Sequence, residues 1–472
     1  MLQAVFRAID LAFAAAMLLL ALVTAGHALI YKREPRAATL WVVVIFALPA
    51  VGALLYLLLG INRVVRRATG MRRAMVRHRA GGNHGCEPDE HFAPLARLVG
   101  QVAGRPLLPG NSVDALVDGA QAYPAMLEAI DGARTSIGLA SYIFDAGGVG
   151  AEFVAALARA AKRGVAVRVL VDDVDVRFSF STVVKPLTRA GVPVGVFNPP
   201  LLPAKLHAMN LRNHRKILLV DGALGFTGGM NIDKRYWRPE NAAEAYRDLH
   251  FRLRGPVLAH IAEVFADDWQ FTTGEALRGH AWFVHHGAAG PTAARAIEAG
   301  PDESFERLRW AIVGGVNAAE RSVRILTPYF LPDAALVSAL AAAALRGVAV
   351  DIILPRNSDL PHVQWAVFGQ LWQVLDHGCR VWLSPGPFDH SKLLVVDGGW
   401  TLLGSANWDA RSLRLNFELG VECYCRDLGT RLDALIEERR AAARPITLRD
   451  VDARSLPVKL RDGAARLFAP YL

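Results

Sequence analysis

The same five residues stand at the same offsets twice in this chain, and no other feature limits its fold and chemistry as much. NHRKILLVDGALGFTGGMNI supplies His214, Lys216, Asp221, Gly228 and Asn231, and DHSKLLVVDGGWTLLGSANWD supplies His390, Lys392, Asp397, Gly404 and Asn407. Counted from each histidine, lysine lies two residues on, aspartate seven, glycine fourteen and asparagine seventeen. Five fixed positions, each matched roughly one time in twenty, make even one chance occurrence in a chain of this length an event on the order of one in ten thousand. Two copies point to a duplication.

The flanking sequence repeats as well. SIGLASYIF from Ser136 matches SVRILTPYF from Ser322, and RGVAVRVLVDD from Arg163 matches RGVAVDIILPR from Arg346. Between the members of each pair lies an alanine-rich helical run, AEFVAALARAAK in one case and AALVSALAAAAL in the other. Strand, helix and strand in that order make a βαβ unit with parallel strands under helical cover. The expected fold is therefore α/β and duplicated, with two mixed or parallel sheets flanked by helices, one half over 106–290 and the other over 291–472. A basic segment and linker is expected over 63–105, and a transmembrane helical hairpin over 1–62.

The hairpin rests on two uncharged runs, LAFAAAMLLLALVTAGHALI from Leu11 and TLWVVVIFALPAVGALLYLLLG from Thr39. Each is long enough to cross a hydrocarbon core of about 30 Å as a helix. A cleaved signal peptide would need a small-residue cleavage site followed by a hydrophilic start, and here a second apolar run follows instead. The composition, 53% hydrophobic with a mean hydropathy of +0.24, suits a soluble body on a short membrane attachment. The net charge of +9 is concentrated: Arg63, Arg66, Arg67, Arg72, Arg73, Arg77 and Arg79 follow the second run with no acidic residue among them. Such a run beside a bilayer is suited to anionic headgroups and keeps its side of the membrane cytoplasmic. A multi-pass protein of the bacterial plasma membrane, with its body in the cytoplasm, is the expectation. Cys86, Cys379, Cys423 and Cys425 show neither zinc-ligand spacing nor disulfide density and read as reduced structural thiols.

Within each motif, KILLVD and KLLVVD are β-prone, and a histidine and a lysine two apart on a strand point to one face. The Asp-Gly that ends each run signals a tight hairpin turn. Asp221 and Asp397 are thus motif residues expected to hold backbone, not to meet a reacting atom.

This double motif, with GG-x-N after the first copy and GSANWDxRS after the second, resembles the phospholipase D superfamily. The hairpin, SYIFD, the RGV-x-V strands, TPYFLPD and the LNFE segment at Leu415–Glu418 are similar to bacterial cardiolipin synthases, so the resemblance covers nearly the whole chain. It implies a phosphatidyltransferase that joins two phosphatidylglycerol molecules into cardiolipin and glycerol through a phosphohistidine. The alternatives are a phospholipase D-type hydrolase or a phosphatidylserine synthase, with the same residues and another acceptor. A nuclease is disfavoured by the hairpin, and no nucleic-acid partner is expected. A silent membrane scaffold would not need two intact His-Lys pairs.

The catalytic set implied is His214, Lys216, Asp221, His390, Lys392 and Asp397. One imidazole would attack phosphorus, and the other would protonate the leaving glycerol and then deprotonate the incoming alcohol. Lys216, Lys392, Asn231 and Asn407 would donate to the phosphoryl oxygens, so neither a metal nor another cofactor is expected. Asp248 in YRDLHF and Glu418 in LNFELG are carried over as the carboxylates that orient the imidazoles. Tyr142, Phe144, Tyr329 and Phe330 read first as core, and Asp145 and Asp333 as helix caps.

Overall fold

The protein is described by a computed structural model over residues 2–32, 35–57, 88–173, 182–198, 211–302 and 304–469. The seven-arginine run and Cys86 lie outside these residues.

The N-terminal unit is built on the helix Leu2–Tyr31, whose Ile9–Tyr31 part is the one described span long and apolar enough to cross a membrane. The second apolar run is divided into helices Pro35–Ala47 and Pro49–Leu55, with Leu48 out of helical geometry. Proline is the cause: it has no N–H to donate, and its ring displaces the carbonyl four residues back. The expected second span is therefore not one unbroken helix among the described residues. The helices meet along small residues, with Ala21, Ala25 and Ala28 packed against Ile45 and Tyr56. The His27 ring nitrogen and the Tyr56 hydroxyl are 2.8 Å apart.

In the larger unit, the first half contributes β1 (Leu108–Val117), β2 (Ser136–Ser141), β3 (Ala166–Asp172), β4 (Val194–Phe197), β5 (Arg212–Asn213), β6 (Ile217–Val220), β7 (Leu224–Gly228) and β8 (Leu249–Arg254). The second contributes β9 (Thr292–Ala299), β10 (Ser322–Leu326), β11 (Phe330–Leu331), β12 (Ala349–Pro355), β13 (Arg380–Ser384), β14 (Leu393–Val396), β15 (Trp400–Gly404), β16 (Trp408–Asp409), β17 (Asn416–Tyr424) and β18 (Arg444–Ile446). From the centre outward the first sheet runs β1, β8, β7, β6, β2, β3, β4, and the second β9, β17, β15, β14, β10, β12, β13, β18. Position by position the first seven strands of the two orders correspond, as a duplication requires, and β18 is added at the outer edge of the second. The sheets join edge to edge, because β1 pairs antiparallel with β9 and β17 also pairs with β9.

β2, β3 and β4 are parallel, as are β10, β12 and β13, while β6 and β14 enter antiparallel. The inner strands are buried on both faces, which is why they read as unbroken apolar runs. Ile137 and Leu139 pack with helices Asp118–Gly132 and Val149–Lys162, whereas Gly138 between them faces Phe265 of helix Val257–Thr273. In the second half Val323 and Ile325 enter the core, and Arg324 turns to Asp433 and Glu437 of helix Arg426–Ala441. Asp333 caps helix Ala334–Leu345 through the amides of Ala335 and Leu336. Asp145 does not cap its helix: its carboxylate accepts from Gly147, and Gly148 occupies the cap position. Cys379 and Cys423 are buried free thiols, and Cys425 is a half-buried one.

Candidate active site

Each motif histidine lies just before a strand, not within it: His214 to Lys216 precede β6, and His390 to Lys392 precede β14. The spacing of two still matters outside the strand. Lys216 Nζ donates to the His214 carbonyl at 2.7 Å, and Lys392 Nζ to the His390 carbonyl at 2.6 Å. Each ammonium is thereby held beside its own imidazole.

The two hairpins that follow are closed by Asp221-Gly222 and Asp397-Gly398. All four residues have positive φ, 52° and 63° in the first turn and 53° and 63° in the second, the geometry of a type I′ turn. Asp221 accepts from the amides of Arg134, Thr135 and Ser136, and Asp397 from those of Glu320, Arg321 and Ser322. Burial alone would raise both carboxyls, but these amides hold them below the usual carboxylate range. Both aspartates therefore tie a turn to the start of β2 or β10. Within the motif they act on backbone, apart from the cluster formed by the histidines and lysines.

The histidine–lysine cluster is assembled across the two halves. His214 Nδ1 lies 3.0 Å from the carboxylate of Glu418, and His390 Nδ1 lies 3.1 Å from Asp248 Oδ2. Each histidine is thus oriented by the carboxylate of the other half. Main chain sets up the crossing. β5 pairs with the start of β17, so the His214 amide donates to the Phe417 carbonyl next to Glu418. A bridge between Arg247 and Asp389 does the same on the other side, and the His390 amide donates to the Arg247 carbonyl next to Asp248. An ionised carboxylate facing Nδ1 favours the proton there and leaves Nε2 for chemistry, and Glu418, held below its ordinary value, meets that condition at His214.

The cluster is dry. His214, Lys216, His390, Lys392, Asp248 and Glu418 are all buried. Desolvation brings His214 down to about 4, against the pull of Glu418, and lowers His390 as well. Lys216 falls to about 7 and Lys392 to about 8 for the same reason. Charge on Lys216 is felt at His390, and charge on Lys392 at His214, so the four groups share one site.

The two dyads are not equivalent. Glu418 accepts from Ser405 Oγ at 2.5 Å and from Asn416 Nδ2 at 3.2 Å besides facing His214. Burial by itself would raise its carboxyl, yet His214, Lys216 and Ser405 hold it below its ordinary value. Asp248 accepts from the Leu249 amide at 2.8 Å and, among the described residues, from no hydroxyl, and burial pushes it well up. The position matching Ser405 is Gly229, where a Cβ would lie 2.6 Å from Asp248 Oδ1. A serine cannot fit there. Instead the Tyr236 hydroxyl lies 3.0 Å from His390 Nδ1.

Asn231 Oδ1 accepts from the Ile143 amide at 3.3 Å, which aims its amide nitrogen away from that strand end. Asn407 Oδ1 is buried without a hydrogen-bond partner among the described residues. Tyr142 stands edge-on to His214, with ring centres 4.8 Å apart, and lies under Lys216 Nζ at 5.2 Å. Tyr329 flanks His390 at 6.3 Å. Phe144 and Phe330 are core residues. Sequence reasoning did not find Tyr236 or Ser405. Ser405 stood in the quoted GSANWD string, where a difference from GGMN was visible; Tyr236 carried no signal. No group of three or more His, Cys, Asp or Glu suited to a metal occurs among the described residues.

Residues 126–269 and 312–440 match the family described as cardiolipin synthase, phospholipase D-like domain, and residues 19–60 match the phospholipase D-nuclease N-terminal family. A cardiolipin synthase of a Geobacillus species is 31% identical over 93% of this chain and 90% of its own length. The major cardiolipin synthase of Bacillus subtilis is also 31% identical, over 93% of this chain and 95% of its own length. Among solved structures, phosphatidylserine synthase of Haemophilus influenzae superimposes with a TM-score of 0.62 over 80% of this chain and all of that one. At 15% identity that likeness concerns the fold alone.

Proposed function

Because the chain belongs to the cardiolipin synthase family of phospholipase D-like proteins, we propose that it transfers a phosphatidyl group from one phosphatidylglycerol to the glycerol hydroxyl of another, giving cardiolipin and glycerol. The observation that carries this reading is the crossed pair of dyads. It supplies one nucleophile and one proton shuttle in a single dry site, as double displacement at phosphorus requires.

His214 is the nucleophile in this reading. Its Nδ1 proton is held by Glu418, which three donors keep ionised, and an anionic partner raises electron density at Nε2. His214 Nε2 attacks phosphorus, forming a P–N bond as the P–O bond to glycerol breaks. His390 delivers its proton to the leaving oxygen. Asp248 and Tyr236 fix its ring for that transfer, and the anionic phosphodiester brought between the lysines favours the imidazolium needed to start it. In the second half-reaction His390 takes the proton of the incoming hydroxyl, whose oxygen displaces His214. Lys216 and Lys392 face the phosphoryl oxygens, with the amides of Asn231 and Asn407, as the charge there grows. Asp221 and Asp397 keep each motif's hairpin in register.

The anchor belongs to the same proposal. The Ile9–Tyr31 helix and the apolar run after it hold the body at the plasma membrane, on the cytoplasmic side marked by the arginine run. Held there, the phosphohistidine meets phosphatidylglycerol hydroxyls at high local density, so transfer outruns hydrolysis. Product analysis on vesicles of pure phosphatidylglycerol tests the reading. Cardiolipin with stoichiometric glycerol is the expected result. Phosphatidic acid as the main product would make the protein a hydrolase, and phosphatidylserine formed on adding serine would make it a serine transferase.

A further inference from the structure

The C-terminal helix Leu456–Arg466 is amphipathic in the unusual sense that its apolar face is outward. Leu456, Leu460 and Ala464 recur every four residues on one side, and all three are exposed, the leucines at 69% and 66%. Leu467 and Phe468 follow in the closing turn at 75% and 62% exposure. The buried residue of the helix is Asp462, which accepts from Arg454 and Arg461 on the opposite side. At roughly 100° per residue, Lys459 and Arg461 fall about 60° to either side of the apolar stripe. From Arg444 to the C-terminus the sequence carries six basic residues against three acidic ones. A helix with a leucine face bordered by cations is the form that lies in a lipid–water interface.

Its place in the fold gives that form a purpose. Tyr329 flanks His390, and its hydroxyl donates to Asp359 at 2.6 Å, in the loop that leaves β12. Helix Pro361–Phe368 follows at once, and Leu456–Arg466 packs on it. The Arg461 guanidinium sits 4.6 Å from the Trp365 ring centre, Arg454 lies over Phe368, and a Cβ on Gly369 would come within 2.7 Å of the Asp462 carbonyl. The exposed leucines therefore stand on the outer side of a helix that packs against the one following the Tyr329–Asp359 contact beside His390. Leu360 and Trp372, which bracket that intervening helix, are also exposed.

We propose that the outer face of helix Leu456–Arg466 is a docking surface for an anionic lipid bilayer, which holds the Tyr329 and His390 side of the body toward the membrane that contains its substrate. It rests on the proposed lipid substrate for its purpose, but not for its test. Leucines enter the acyl boundary while Lys459, Arg461 and Arg466 remain among the headgroup phosphates. The membrane helix near the N-terminus fixes the body near a bilayer; this surface fixes which way it faces.

The experiment is site-directed spin labelling of the full chain in vesicles, with Leu456→Cys, Leu460→Cys and Leu467→Cys in turn and Lys162→Cys as an exposed reference, read over the wild-type background. In mixed phosphatidylglycerol–phosphatidylcholine vesicles the three labels should be open to oxygen and shielded from a water-soluble nickel chelate, unlike the reference. Nickel access equal to that at Lys162→Cys overturns the proposal. So does identical shielding on pure phosphatidylcholine, which would mean cover by a second copy or by another segment of this chain. In a second arm, the triple variant Leu456→Ser, Leu460→Ser, Leu467→Ser should raise KM on vesicles roughly tenfold, with turnover of monomeric short-chain phosphatidylglycerol unchanged. An unchanged vesicle KM counts against docking. Wild-type protein inactive on both substrates would refute the proposed reaction, and the label pattern would still decide the surface.

Discussion

Replacing Asp248 by asparagine separates the two halves of the reaction and tests the crossed pairing. Asp248 belongs to the first half of the chain, but it faces His390 of the second at 3.1 Å. If His390 is the proton shuttle, Asp248→Asn weakens general acid catalysis, a contribution of about 10²- to 10⁴-fold. A p-nitrophenyl phosphodiester needs no acid, since its leaving group departs as a stable anion. With that substrate Asp248→Asn and His390→Ala should release a stoichiometric burst of nitrophenolate and then stall, leaving the remaining phosphoryl monoester covalently on His214. Glu418→Gln removes the anion that holds His214 Nδ1. The lost charge-assisted hydrogen bond is about 1.5–3 kcal/mol, or roughly 10- to 10²-fold, and a wrong tautomer extends the loss toward 10⁴-fold. Glu418→Gln should therefore slow the burst itself. Rapid-quench kinetics with mass spectrometry of the labelled peptide reads both outcomes. A burst that vanishes in Asp248→Asn and persists in Glu418→Gln would refute the assignment of roles.

Further outcomes follow from the same geometry. With the p-nitrophenyl substrate, whose leaving group needs no acid from His390, the kcat/KM profile should be bell-shaped: neutral His214 is lost as pH falls through about 4, and charged Lys216 and Lys392 are lost as pH rises through about 7 and 8, all as values of one coupled site. Asp397→Asn should lower thermal stability by about 1–3 kcal/mol, because three backbone amides lose an anionic acceptor, while the phosphohistidine still forms. The carboxyl of Asp397 is lowered in the folded state, so its contribution is present above the ordinary value of 3.8 and lost as pH falls through the lowered one, which acid unfolding of wild type against variant would show. Ser405→Ala should slow the burst roughly tenfold by leaving Glu418 with fewer donors, whereas an unchanged burst would remove Ser405 from the account. Turnover should continue in EDTA, since two lysines already face the phosphoryl oxygens; a loss restored by one divalent ion would overturn that.

What the sequence determined by itself is what short-range geometry controls. A histidine and lysine two apart face one way in any extended backbone, and Asp-Gly ends a strand in a turn whatever surrounds it. The duplication, too, was legible, because matched strands and helices must build matched sheets. The second apolar run shows the limit of composition: its length suited a span, but Pro49 cannot sustain the helical hydrogen bonds through Leu48. Only the tertiary structure decided which carboxylate meets which imidazole. Asp248 and Glu418 were visible as acids after each motif, yet nothing local says that each serves the other half. That crossing arises where β5 joins β17 and Arg247 bridges Asp389, contacts between residues more than a hundred positions apart. The same holds for the difference between the dyads. Ser405 and Gly229 are equivalent in the repeat, and their unequal effect appears only when Glu418 and Asp248 are brought within bonding distance of those two positions.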